Sequence, residues 1–114
     1  MFKYAEKSPR ITEDGTICWY EGDTFELTLN FNFIDAESGE SIEPQPTDEI
    51  LICFENFQSN EKVYEAQFKG TNSITLSVDE EVTKLFKVGR YRYSAKRKSQ
   101  FITTIIHNNL VVVE

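Results

Sequence analysis

Between Thr24 and Phe33, five apolar residues (Phe25, Leu27, Leu29, Phe31 and Phe33) alternate with Glu26, Thr28, Asn30 and Asn32. A strict period of two puts one set on a buried face and the other in water, which only a half-buried strand can do. A helix would scatter the same five residues around its circumference. Shorter runs repeat the signal. Gly15–Tyr20 sets Ile17 and Trp19 against Cys18 and Tyr20, Glu49–Glu55 sets Ile50, Ile52 and Phe54 inward, and Val63–Phe68 does the same with Tyr64, Ala66 and Phe68. Ser73–Val78 alternates Ile74, Leu76 and Val78 with polar partners, and Arg90–Lys98, Phe101–Ile106 and Leu110–Val113 complete the series. Seven or eight short strands separated by turn residues predict an all-β antiparallel sandwich rather than parallel βαβ units.

One segment breaks the β pattern. Residues 79–86 form a short helical turn in which Asp79, Glu80 and Glu81 lie at the end that favours negative charge and Lys84 and Lys87 follow at the other. Ser77 with Glu80 fits a capping box, and Asp79 is an equally good cap. Val82, Leu85 and Phe86, at i, i+3 and i+4, give the turn one apolar face. Gly89 then permits a reversal, and Tyr91 stands where a Greek-key sandwich often places its corner tyrosine. Leu85, Gly89 and Tyr91 are therefore expected to build a structural corner between the sheets.

At 114 residues the chain is expected to form one domain, over 13–114, with residues 1–12 as an N-terminal arm of no clear period. No apolar run approaches the roughly 20 residues of a membrane helix, and MFKYAEKSPR has no apolar signal core. A cytoplasmic product with no membrane partner is expected. Cys18 and Cys53 fall on the first and third predicted strands and are read as reduced. With His107 as the only histidine, they make no zinc site and no cofactor is expected. The run Asp35–Glu40 resembles a fragment of a calcium loop but lacks the later ligands, so a plain polar loop is the expectation. Pro44 and Pro46 make Ile42–Thr47 a stiff connector.

No nucleophile–base arrangement can be built without His107, and no phosphate-binding or nucleophile-elbow motif occurs. The carboxylate pairs Glu13/Asp14, Asp48/Glu49 and Glu80/Glu81 are what 19 acids produce by adjacency. An enzyme is not expected. The notable polar feature is a stripe: Arg90, Arg92, Lys96 and Lys98 share one face of a strand whose other face carries Tyr91, Tyr93 and Ala95. Four cations in a row repel one another and call for an anion. Acids of the same domain such as Glu49 and Glu55, an acidic docking partner, and nucleic acid are the three candidates. The last is disfavoured by a net charge of −7 and by tyrosines that point inward. The charge is also uneven. Residues 1–81 hold 18 acids and 5 bases (−13), whereas residues 82–114 hold 7 bases and Glu114 (+6), which suits attraction between parts of the fold or between chains.

Two motifs carry a resemblance. A G-D-x-F-x-L-x-L strand (Gly22, Asp23, Phe25, Leu27, Leu29) is followed by a D-E-E-x-T-x-L-x-x-x-G-x-Y-x-Y corner (Asp79, Glu80, Glu81, Thr83, Leu85, Gly89, Tyr91, Tyr93) and a final hairpin ending in V-V-V. Over about residues 15–114 the chain resembles the small Ig-like β-sandwich modules of tailed-phage and prophage virion proteins, such as the N-terminal domain of baseplate upper proteins. It has Val88 before the corner glycine and Ser94 after the second tyrosine, where members often have proline and aspartate. The resemblance implies an Ig-like fold and a non-enzymatic baseplate or tail component. Its partners would be other virion proteins or copies of itself, as a homo-oligomer that passes from cytoplasm to virion. The alternative is an Ig-like module that binds carbohydrate or a receptor, for which Trp19 and Tyr20 are the only adjacent aromatics.

Overall fold

The computed structural model of the protein describes residues 8–114. Eight strands and one helical turn follow in the order β1 (Arg10–Ile11), β2 (Ile17–Trp19), β3 (Phe25–Asn30), β4 (Glu49–Asn56), β5 (Lys62–Lys69), β6 (Ser73–Val78), α1 (Glu80–Thr83), β7 (Gly89–Lys98) and β8 (Ile102–Val113). They make a six-stranded sheet, β1-β2-β8-β7-β4-β5, and a two-stranded sheet, β3-β6. This is an all-β sandwich. Strands β8, β7, β4 and β5 lie as G, F, C and C′ do in a variable-type Ig domain, and β3 and β6 lie as B and E. All pairings are antiparallel except β2 with β8, which is parallel.

The alternation read from sequence sets the core. Ile50, Ile52 and Phe54 from β4, Tyr91, Tyr93 and Ala95 from β7, Ile74, Leu76 and Val78 from β6, and Leu27 from β3 are all buried. Phe86 is the hub. Its ring meets Trp19, Phe54 and Tyr91 edge-on, with centroids 5.2, 5.5 and 5.1 Å away. Each such pair contributes about 0.5–1.5 kcal/mol beyond burial.

Four boundaries differ from expectation. The strand expected to run to Phe33 leaves the ladder at Asn30, because its partner β6 begins at Ser73. The two strands expected at 101–106 and 110–113 are one, β8, interrupted by a bulge at Asn108. Asn108 adopts φ +50°, where asparagine is tolerated, and its amide donates to Ser94 Oγ at 3.0 Å. The described part of the expected arm is annealed to the sheet: Arg10–Ile11 pair with β2, whose outer edge β8 leaves open. Residues 1–7 of that arm lie outside the described residues.

The helical turn is the fourth. Asp79, not Ser77, caps it, its Oδ1 accepting the Val82 amide at 2.9 Å. The turn ends at Thr83, and Leu85 and Phe86 donate three residues back, to Val82 and Thr83. That tighter winding breaks the i, i+3, i+4 face. Phe86 goes inward, Thr83 takes the second inward position with its hydroxyl on the Asp23 carbonyl at 2.7 Å, and Leu85 is left 49% exposed. Leu85 is therefore not a buried corner residue. The corner is held by Tyr91, whose hydroxyl donates to the Lys87 carbonyl at 2.7 Å, and by Gly89 at φ +152°. An L side chain rarely adopts that φ.

Candidate interaction surface

Only one face of the six-stranded sheet is covered by β3-β6, so the outward residues of β7 stand on an open face. Strand parity puts Arg90, Arg92, Lys96 and Lys98 there together, as the sequence indicates, while Tyr91, Tyr93 and Ala95 are buried. Register supplies two acids: Glu49 lies opposite Lys98 and Glu55 opposite Arg92. Neither forms a close pair with the stripe. Glu49 reaches the other way, to Lys69 on β5 at 3.4 Å. The Arg92 guanidinium instead lies over the Phe57 ring, 5.2 Å from its centroid. Lys96 has Leu51 and Thr104 as neighbours. Among the described residues no carboxylate comes within 4.0 Å of Arg90, Arg92, Lys96 or Lys98. The stripe borders a shallow depression of about 350 Å³ lined by Glu49, Leu51, Glu65, Gln67, Lys96, Lys98 and Ile102.

A larger concavity, about 790 Å³, opens at one end of the stripe. Its walls are the β4–β5 turn, with Phe57 and Glu61, and the segment from Leu85 to Gly89; Lys62, Lys87 and Arg90 stand on its rim and Tyr91 at its floor. Phe57, Leu85 and Val88 are 43%, 49% and 65% exposed. Sequence reasoning missed this groove because it set Leu85 with Val82 and Phe86 on one apolar face of the helical turn. The available signal was local: Leu85, Lys87 and Val88 crowd the approach to Gly89, and a corner that short cannot bury every apolar residue.

The remaining sequence candidates disperse. Glu49 faces outward, but its neighbour Asp48 faces in and binds Arg97 at 3.1 Å, so adjacency in sequence becomes opposition across the sheet. The Arg97 guanidinium also lies over Phe33, 4.8 Å from the ring centroid. Asp35 Oδ1 accepts the amides of Glu37 and Ser38 at 2.9 and 3.0 Å, and these bonds hold its carboxyl below the usual carboxylate range. Among the described residues no three His, Cys, Asp or Glu side chains converge on a metal-sized space. His107 is exposed beside the Asn108 bulge, its Nε2 3.4 Å from Asn108 Nδ2.

Cys18 and Cys53 are free thiols on different strands, β2 and β4. Burial raises the pKa of both; at Cys18 the carboxylate of Glu114, 2.9 Å away, adds to the effect. Trp19 is buried and cannot stack on a sugar, which leaves Tyr20 alone facing outward, with Arg10 5.9 Å from its ring centroid. Among the described residues Trp19 Nε1 has no hydrogen-bond partner. No helix among the described residues is long and apolar enough to cross a membrane. A scan against protein-family models, a search of curated proteins and a search of solved structures each gave no match.

Proposed function

We propose that this protein is a non-enzymatic assembly module of a tailed-phage or prophage virion, in the baseplate or tail. It docks the cationic outer face of its larger sheet on an acidic surface of a virion neighbour or of another copy of itself. The observation that carries the docking is the row Arg90, Arg92, Lys96 and Lys98, on an uncovered sheet face with no carboxylate of the described residues within 4.0 Å. A row of like charges is unfavourable in the free protein and becomes favourable when an anionic surface covers it. Such complementarity speeds encounter and fixes register more than it adds affinity. The virion assignment rests on the G-D-x-F-x-L-x-L strand and the D-E-E-x-T-x-L-x-x-x-G-x-Y-x-Y corner. Nucleic acid is a poor occupant, since Tyr91 and Tyr93 are buried and the Phe57 ring at the end of the stripe already has the Arg92 guanidinium over it.

The test is co-expression of the tagged protein with the products of its neighbouring genes, followed by affinity isolation at low and high salt. An identified virion protein should co-purify at about 0.1 M salt, where the Debye length is about 10 Å, and be lost near 1 M, where it is about 3 Å. Lys96→Glu/Lys98→Glu should abolish the association. If no virion protein is retained, or the double variant retains it unchanged, the proposal fails.

A further inference from the structure

The two ends of the sandwich carry complementary features. At one end the groove presents exposed Phe57, Leu85 and Val88 under a rim of Lys62, Lys87 and Arg90, and Glu61 also lines it. Lys62 pairs with Glu65 at 3.6 Å and the Glu21 carboxylate accepts the Val88 amide at 2.9 Å, which leaves Lys87 and Arg90 with no carboxylate of the described residues within 4.0 Å. At the other end, between β3 and β4, the chain forms a small closed finger. Ile34 bridges Ser41, the Ile42 amide donates to the Phe33 carbonyl at 2.7 Å, and the Asp35 amide donates to the Glu40 carbonyl at 2.9 Å. The tip is tightened by the Gly39 amide on the Asp35 carbonyl at 2.8 Å and by the Asp35 carboxylate on two amides. This finger carries Asp35, Glu37 and Glu40 with no base, and Ile34 at its root is 55% exposed. It is an acidic, preformed knob with one apolar residue at its root, and the concavity at the opposite end is cationic at the rim and apolar within.

We infer that copies of this chain associate head to tail, the finger of one entering the groove of the next. The inference rests on the assembly reading above and names the partner as a second copy. Strand β4 separates finger from groove, and its eight residues at about 3.3 Å each span about 26 Å. A finger therefore cannot reach the groove of its own chain, and the two features meet only between copies. Because finger and groove stand at opposite ends of β4, a head-to-tail contact leaves one finger and one groove unused, and it propagates as a ring or filament. The finger needs little ordering on binding, because its backbone is already hydrogen-bonded. Each copy carries a net charge of −7. At about 0.1 M salt repulsion between distant parts of two copies is screened beyond about 10 Å, whereas charges in contact still attract.

Two variants with one surface spoiled in each provide the test. Lys87→Glu/Val88→Asp closes the groove to an acidic finger, and Glu37→Lys/Glu40→Lys reverses the finger. In light scattering at high concentration and about 0.1 M salt, the wild type should exceed the mass of a dimer, and each variant alone should stay at 13.2 kDa. Mixed in equal amounts, the two variants should form a capped 1:1 complex of twice that mass and nothing larger, because one intact groove meets one intact finger. Melting midpoints near that of the wild type show that the variants are folded. Should the lysines unfold the finger, Glu37→Gln/Glu40→Gln takes their place. A mixture that stays monomeric, a variant that assembles alone as the wild type does, or a wild type fixed at 13.2 kDa overturns the inference. None of these outcomes touches docking on a virion neighbour, which Lys96→Glu/Lys98→Glu reads separately.

Discussion

Arg97 occupies the fourth inward position of β7, after Tyr91, Tyr93 and Ala95, and its partner Asp48 precedes β4. The two side chains are 13% and 11% exposed, and Asp48 Oδ2 accepts both Arg97 Nη2 at 3.1 Å and the Gln45 amide at 3.0 Å. Arg97→Met keeps the length and apolar stem of the side chain but leaves that carboxylate with one backbone donor in a site from which water is largely excluded. Removing one member of a buried pair typically costs about 3–5 kcal/mol, much of it from the charge left behind. With an unfolding entropy of about 2.1 cal/mol/K per residue, 114 residues give about 0.24 kcal/mol/K, so 3 kcal/mol lowers Tm by about 12 °C. Adding Asp48→Asn removes the stranded charge while an amide oxygen still serves Gln45. The double variant should therefore be more stable than the sum of the two single losses predicts, by about 1.5 kcal/mol or more. Thermal and urea melts of the four proteins measure this cycle. A loss below about 1 kcal/mol for Arg97→Met, the value of an exposed pair, or strict additivity, would refute the reasoning.

Tyr91→Phe should lower stability by about 1 kcal/mol, a typical net hydrogen-bond value, since it frees the Lys87 carbonyl; an unchanged melting midpoint would remove the hydroxyl from the corner. Titration of unfolded, unreduced protein should find two thiols per chain. In the native protein both should react more slowly than a free cysteine, because burial raises their pKa and reduces the thiolate. Burial also raises the pKa of Tyr93, so the folded state holds this proton more tightly than the unfolded state. Its contribution is complete below about pH 10 and declines as pH rises through the folded value, which alkaline melts followed with tyrosinate absorbance will show. Asp35 has the opposite sign: its contribution is present above the ordinary carboxylate pKa and is lost as pH falls through the lowered folded value. The Glu37 and Ser38 amide resonances should shift together in that acid range.

Much of the sandwich was legible because a strand writes its burial into alternate residues. Phe25, Leu27, Leu29 and the β4, β6 and β7 sets all point as their parity requires. The stripe on β7 followed from the same parity. What parity cannot carry is pairing. The parallel contact of β2 with β8 joins residues almost the whole chain apart, and nothing local marks it. The expected strand count agreed with the observed one for a different reason: β1 was added where an arm was expected, and two predicted strands fused across Asn108. The parity that placed Tyr91, Tyr93 and Ala95 also reaches Arg97, but a charge at an inward position gives no hint of its partner until the connector brings Asp48 beside it. The groove was hidden for a similar reason. Leu85 fits a helical face in sequence, and only the tighter winding after Thr83 turns it to solvent.

The parallel seam between β2 and β8 has a consequence for how the chain folds as it is made. Ile17 and Trp19 lie in the core beside Val111 and Val113, and the seam is extended by the Glu114 amide on the Trp19 carbonyl at 2.9 Å and the Glu21 amide on the Glu114 carbonyl at 2.8 Å. A nascent chain can form the β4–β5 hairpin early, but β2 has only the two-residue β1 beside it, and Trp19 no ladder partner, until residues 111–113 have left the ribosome. For that interval an indole and an open strand edge stay exposed, the condition under which chains pair with one another instead of with themselves. Closure is therefore a late, long-range event. A fold with this connectivity belongs with the slow folders of high contact order, and its yield in a cell depends on what guards Ile17 and Trp19 until residues 111–113 are made.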